Sequence, residues 1–249
     1  MKNLTVLNFR EKCHHSLDSL LLLVKAQIEN SLELGWKSED IIILSNIDFE
    51  YMGIKPIIIP LNDFCFTGSK MFGVKYLFEN GCKDVVWSHD LDAWQNVEFN
   101  CPEFKDVGYA QYSRPKVNGG SLFWKPESID IIDRIVAHLL KKKERKEEPT
   151  LNYILRKYPN RVSTLNYTYN VGCSGFIKRY NKSIKPIHVC HFHPTNKLAW
   201  ETHALNRTGC GISISYRLEK LIRQYYPKLA TALSNKNQNT VTKEMKNED

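Results

Sequence analysis

The chain has no apolar run long enough to cross a membrane. Its longest, Leu20 to Val24 and Ile57 to Pro60, fall far short of the roughly 20 residues a helical span needs. It has no signal-peptide stretch, since Met1-Lys2-Asn3-Leu4 enters strand-like sequence at once, so an intracellular, cytoplasmic location is expected. It has no Cys-x-x-Cys pair. The seven cysteines (Cys13, Cys65, Cys82, Cys101, Cys173, Cys190 and Cys210) are odd in number and scattered. That argues against a disulfide framework and a ribbon-type zinc site, and it fits a reducing compartment. It has no internal repeat and no excess of acid. The net charge of +8 favours polyanionic partners, although part of it sits in Lys141-Lys142-Lys143-Glu144-Arg145-Lys146, which also reads as the solvated end of a helix. What remains is ordinary globular composition, 42% hydrophobic and 25% charged over 249 residues, enough for one large domain or two small ones.

The apolar pattern sets the order of elements. Leu4 to Phe9 reads as a first strand. Ser16 caps a helix to about Leu34, with Leu17, Leu20, Leu21, Val24, Ile28 and Leu32 on its buried side and Gly35 as its stop. Ile41 to Leu44 and Ile57 to Ile59 are continuous apolar runs of the kind found in buried parallel strands. Lys70 to Asn80 looks helical and leads to a strand at Val85 to Trp87. This β-α-β-β-α-β rhythm over the first 92 residues predicts a nucleotide-binding type of α/β sheet. Beyond it, Val107 to Gln111 and Ser121 to Trp124 read as strands flanking a turn at Asn118-Gly119-Gly120. Ser128 precedes an amphipathic helix with Ile129, Ile132, Ile135, Val136, Leu139 and Leu140 on one face. A helix over Pro149 to Lys157, mixed strand and loop over Val162 to Ile177, a histidine cluster at His188 to His193 and a helical stretch from Arg217 to Tyr226 follow. Ser234 to Asp249 reads as a polar, disordered tail.

Two carboxylates, Asp90 and Asp92, stand just past the strand ending at Trp87. In open α/β sheets that edge is where ligands bind. Paired carboxylates there form a hard oxygen site for Mg²⁺ or Mn²⁺, while the same residues also suit a simple turn. Lys70 follows Gly68-Ser69 at a helix start, where amides and an ammonium can face a phosphate; it also reads as a plain surface lysine. Asn8 and Arg10 lie just past the first strand, on the same edge. Glu147 and Glu148 read alone as exposed first-turn residues. His188, His191 and His193 with Cys190 could hold a structural zinc, but their alternation on one strand leaves no fourth ligand nearby.

In their order, these pieces resemble the GT-A glycosyltransferases, over about residues 4 to 200. Asp90-Leu91-Asp92 resembles the family's Asp-x-Asp motif, Asn118-Gly119-Gly120-Ser121-Leu122 its hairpin beside the sugar, and Glu147-Glu148-Pro149-Thr150-Leu151-Asn152 the acidic start of the helix near the acceptor. Leu165 to Asn170 resembles the Leu-Pro-x-x-Tyr-Asn segment of glycogenin-like and lipopolysaccharide-galactosyltransferase-like members, with Asn166 where Pro is usual. His191-Phe192-His193, then Lys197 and Trp200, resembles their late His motif followed by Lys-Pro-Trp, with Leu198-Ala199 in place of the single Pro. The resemblance implies a single α/β domain with a Rossmann-like mixed sheet flanked by helices. Residues 1–233 would form it, 1–92 as the nucleotide-binding half and 93–233 as the acceptor-binding half. It implies Mn²⁺ or Mg²⁺ held by Asp90, Asp92 and one of His188, His191 or His193, of which His191 is favoured. The donor, a UDP-sugar by this reading, would meet Asn8, Arg10, Lys70, Asp90, Asn118, Gly119, Gly120 and Lys197. Glu147 or Glu148 would serve as base if the reaction inverts the anomer.

The acceptor is open between two classes. The positive charge and the aromatic-basic interleaving of Tyr109, Tyr112, Arg114 and Lys116 lean toward DNA, and a resemblance to phage-type DNA glycosyltransferases implies hydroxymethylated bases as the acceptor, which would place the protein in host cytoplasm. The alternative is a bacterial surface glycan. A metal-dependent nuclease or phosphotransferase explains Asp90, Asp92 and His191 but not the Asn-Gly-Gly and Tyr-Asn segments. A non-catalytic nucleic-acid-binding protein explains only the charge.

Overall fold

The computed structural model describes residues 1–10, 15–61, 68–111, 115–142, 147–172, 176–194 and 214–245. Strands β1 (Lys2–Leu7), β2 (Ile41–Ser45), β3 (Ile57–Ile58) and β4 (Val86–His89) run parallel, with β1 between β2 and β4. The sheet continues through β7 (Val117–Trp124), antiparallel to β4, then β6 (Val107–Gln111), antiparallel to β7, and β8 (Val162–Leu165), parallel to β6. The seven-stranded order is thus β3-β2-β1-β4-β7-β6-β8. A second, three-stranded sheet has β10 (Val189–His191) between β5 (Ala93–Gln95) and β9 (Val171–Gly172).

Helix α1 (Leu17–Glu33) starts where Ser16 accepts a hydrogen bond from the Ser19 amide. It stops at Gly35, φ +78°, where Gly35 and Trp36 amides return to the Leu32 and Ser31 carbonyls. Strand alternation divides the core. Leu7, Ile41 and Ile43 pack with α1 and α6 (Tyr216–Met245) on one face. Leu4, Val6, Leu44 and Val86 pack on the other with α2 (Ser69–Glu79), α3 (Ile129–Lys142) and α4 (Glu147–Leu155). A short α5 (Phe176–Lys182) follows β9. No helix of the described residues is long and apolar enough to cross a membrane.

The structure differs from the sequence expectations in several places, among them Glu147, which is buried rather than exposed because it packs over Gly119 toward Lys70. Ile57 and Ile58 are parallel to β2 but exposed, because β3 is a two-residue edge strand. Asn118, Gly119 and Gly120 lie inside β7, one strand from Val117 to Trp124, rather than at a turn. Helix α4 begins at Glu147, with Pro149 in its first turn, where a missing N–H breaks no helical bond. Helix α6 carries on to Met245, so 234–245 is helical where a structureless tail is expected; the stretch contains neither Pro nor Gly to stop it.

Candidate active site

Two reciprocal side-chain bonds fix the register of the strands that carry the site. Trp87 Nε1 donates to Ser121 Oγ (2.8 Å) and Trp124 Nε1 donates to Ser88 Oγ (3.0 Å), locking buried β4 against β7. In that register the Asp90 amide donates to the Gly120 carbonyl at 3.0 Å. The chain then turns tightly, the Ala93 amide reaching the Asp90 carbonyl (3.0 Å), and enters β5. Strand β10 pairs antiparallel to β5 with His191 opposite Ala93, and the Phe192 amide donates to the Asp92 carbonyl (2.9 Å). A tight turn and one strand pair thus bring together residues a hundred positions apart.

The outcome is a cluster in which one ligand atom each of Asp90, Asp92 and His191 all lie within 4.8 Å of one another. His191 Nε2 is 3.2 Å from Asp92 Oδ1 and 3.5 Å from Asp90 Oδ2. The glycines of β7 make this approach possible. A Cβ on Gly120 would lie 2.2 Å from the His191 ring, and one on Gly119 would lie 2.5 Å from Glu147 Oε1. Both side chains pass over a strand stripped of its own.

Lys70, in the first turn of α2, is 3% exposed. Its ammonium bonds the Asp90 carboxylate and the Gly119 carbonyl (2.5 Å), and it lies 3.6 Å from Glu147 Oε1. Burial pulls its pKa down, but Asp90 and Glu147 more than offset that and hold it above its ordinary value. Burial also raises the Asp92 carboxyl, yet the facing His191 outweighs it and leaves Asp92 at about 2. For His191 the desolvation works downward and the two aspartates upward, with a net rise. The two carboxylates thus favour the protonated form of the imidazole that faces them. Two hard carboxylates with one imidazole at this spacing suit a divalent ion of the Mn²⁺ or Mg²⁺ type, so the residues fit such a metal.

No family model matches the chain, and no curated protein matches it. Solved structures do. Over 90% of its length the chain resembles galactosyltransferase LgtC, crystallised with donor and acceptor sugar analogues, at 12% identity and a TM-score of 0.59, covering 96% of that chain. Over 96% of its length it resembles the glycosyltransferase GlyE of Streptococcus pneumoniae TIGR4, at 14% identity and a TM-score of 0.57, spanning 64% of that longer chain. The fold is that of the GT-A glycosyltransferases.

Within this GT-A frame the remaining candidates sort themselves by place. A cavity of about 230 Å³ lies beside the cluster, with Val6, Leu20 and Leu23 as an apolar floor and Lys70, Asp90, Asp92 and His191 along its polar side. His15 and His193, stacked at 5.5 Å, also line it; the sequence pattern singles out neither His15 nor His89. The available signal for His15 was its place before the Ser16 cap, beside the carboxyl end of β1. His89, buried and stacked on Trp87 at 4.2 Å, has its pKa lowered by desolvation to about 4 and sits 3.0 Å from the Asp90 carbonyl. His188 stacks on Phe99 (5.3 Å) and packs on Tyr169, apart from the aspartates. Asn8 and Arg10 both donate to the Leu61 carbonyl (3.3 Å each) at the edge beyond β1. The Glu148 carboxylate accepts from the Gly119 amide (3.2 Å) and Asn118 Oδ1 from the Gly120 amide (3.1 Å). Lys197, Trp200, Tyr112 and Arg114 lie outside the described residues.

Proposed function

We propose that the chain is a metal-dependent glycosyltransferase that moves a sugar from a nucleotide-sugar donor, of the UDP-sugar class, to an acceptor hydroxyl. The observation that carries this reading is the Asp90-Asp92-His191 cluster at the carboxyl edge of a GT-A sheet, beside a cavity with an apolar floor.

A divalent ion held by Asp90, Asp92 and His191 would supply positive charge to a diphosphate leaving group as the glycosidic bond breaks. The chain's own residues do the rest. Lys70 holds the Asp90 carboxylate in place and ties it to β7 through the Gly119 carbonyl. Glu147, buried and paired with Lys70, is a positioning group for that lysine. Glu148, half-buried at the next position with its carboxylate accepting from the Gly119 amide, is the better candidate for an acceptor-side base, since Glu147 is taken up by Lys70. His15 and His193 form part of the cavity wall.

For the acceptor, the DNA reading rests on the net charge and on the Tyr109 to Lys116 segment. Tyr109 packs against the core of the α3 face, which weakens that support. A glycan remains the alternative acceptor. Incubation with Mn²⁺ and a panel of nucleotide sugars tests the function. Release of nucleoside diphosphate from one donor is the expected result. If no donor is bound or consumed while metal-dependent DNA cleavage is seen, the chain is a nuclease instead.

A further inference from the structure

The opposite edge of the main sheet carries a groove of about 700 Å³, within the range of roughly 300–1,000 Å³ typical of small-ligand sites. It lies between the α1–β2 connection and the segment after β5, at the amino ends of the parallel strands. Trp36 and Phe99, both half-buried, give it aromatic surface, and Asn100, Glu98 and Asp40 give it polar groups. The indole is held in place: Trp36 Nε1 donates to Gln95 Oε1 at 2.7 Å, and Gln95 Nε2 donates in turn to the Val97 carbonyl at 3.0 Å. Trp36 also packs on Trp87 (6.1 Å, 21° between planes), and Phe99 meets Trp87 edge-on at 5.2 Å.

We infer that this groove binds a neutral saccharide segment of a glycan, separately from the donor cavity. A pyranose ring offers a C–H face that packs on an aromatic ring and a rim of hydroxyls that hydrogen-bond carboxylates and amides. The groove presents both kinds of partner. Its charges nearly cancel: of the two lining carboxylates, Asp40 is paired with Lys2 at 2.6 Å, and Glu98 is balanced by Lys37. A near-neutral lining gives a phosphate-rich ligand no excess of cations to hold it, despite the chain's overall +8, and suits an uncharged ligand. The choice of a glycan rests on the glycosyltransferase reading, and a site of this kind would hold an extended acceptor or product at a distance from the reacting end.

Titration of the full chain with neutral hexasaccharides (maltohexaose, cellohexaose and β-1,4-galactohexaose) tests this, read by tryptophan fluorescence and saturation-transfer NMR. At least one is expected to bind with a Kd of about 1 mM or tighter. Trp36→Ala is expected to weaken NMR-detected binding about tenfold. The double variant Glu98→Ala/Asn100→Ala, at exposed positions, weakens it in the same direction and decides the matter if Trp36→Ala does not fold. Asp90→Ala leaves binding unchanged. The inference is overturned if no hexasaccharide binds, if both groove variants bind like the unmodified chain, or if a DNA oligonucleotide displaces the sugar. Groove binding without turnover of any nucleotide sugar would remove the transferase reading alone, and turnover without groove binding would remove only the groove.

Discussion

The two ends of β1 and β4 hold opposite kinds of chemistry. At their carboxyl ends Asp90, Asp92, His191, Lys70 and Glu147 form one interlocked set, with Lys70 and Glu147 almost wholly out of water. At their amino ends the ions are half-exposed pairs, Lys2 with Asp40 at 2.6 Å and with Asp84 at 3.9 Å, and the defining groups are rings and amides. Exposed pairs contribute little and tolerate loss. Buried ones fail together when one member goes. The sheet therefore has an edge organised by charge and an edge organised by stacking, and perturbations should separate them.

The largest effect is expected at the charged edge. Asp90→Ala or Asp92→Ala removes a metal oxygen and should lower sugar transfer by about 10³-fold or more, with far-UV circular dichroism retained. Variants that keep full Mn²⁺-dependent activity would show that the cluster is structural.

Next comes Lys70→Met. It preserves the shape of the side chain but leaves Asp90 and buried Glu147 facing each other without a cation. Destabilisation of about 3 kcal/mol in urea unfolding is expected. Adding Glu147→Gln should recover part of it, because the two residues share one network. An unchanged midpoint would place Lys70 among the dispensable pairs of the other edge.

Gly120→Ala should cost activity more than stability. Its new Cβ would fall 2.2 Å from His191, so the ring must move, and a displacement of about 1 Å at a reacting centre can cost about 10²-fold in rate. Gly119→Ala should be milder, since the atom it meets is the mobile end of Glu147.

The pH dependence has a defined sign. His191 has its pKa raised in the fold, so its pairing with the aspartates stabilises the metal-free protein below the ordinary histidine value of about 6.5 and is lost as pH rises through the folded value. Asp92 is depressed to about 2, so its share is present above the usual carboxylate value of about 3.9 and is lost only as pH falls toward 2. Metal must displace the His191 proton. Mn²⁺ affinity, measured by calorimetry, should therefore weaken by up to about tenfold per unit as pH drops below the folded His191 value. A flat profile would mean that His191 does not hold the ion.

The contrast between the edges also explains what the sequence disclosed. Local periodicity made the strand-helix rhythm of residues 4 to 92 legible, and Ser16 and Gly35 marked α1 correctly because caps are local devices. Asp90 and Asp92 were legible because a strand end and two carboxylates lie within a few residues. Asn118-Gly119-Gly120 misled for the opposite reason: its glycines answer to Glu147 and His191, side chains from distant segments, and nothing nearby distinguishes that need from a turn. Lys70 read equally well as a surface lysine, and only the arrival of Asp90, Gly119 and Glu147 buries it. The stacked edge was not anticipated, since Trp36 and Phe99 stand 63 positions apart and acquire meaning only through Gln95 and Trp87.

The smallest effect belongs to that stacked edge. Gly35 adopts φ +78°, with open space where a Cβ would stand, so Gly35→Ala adds backbone strain without a clash. About 1 kcal/mol should be lost in urea unfolding, because alanine resists a left-handed conformation that glycine accepts. Donor turnover should stay within about twofold, since the helix stop lies at the edge away from Asp90, and changes at sites without shared partners act independently. A matching loss of turnover would instead show that strain at the amino ends of the strands travels along β1 and β4 to the metal carboxylates, and the two edges would then have to be treated as one unit.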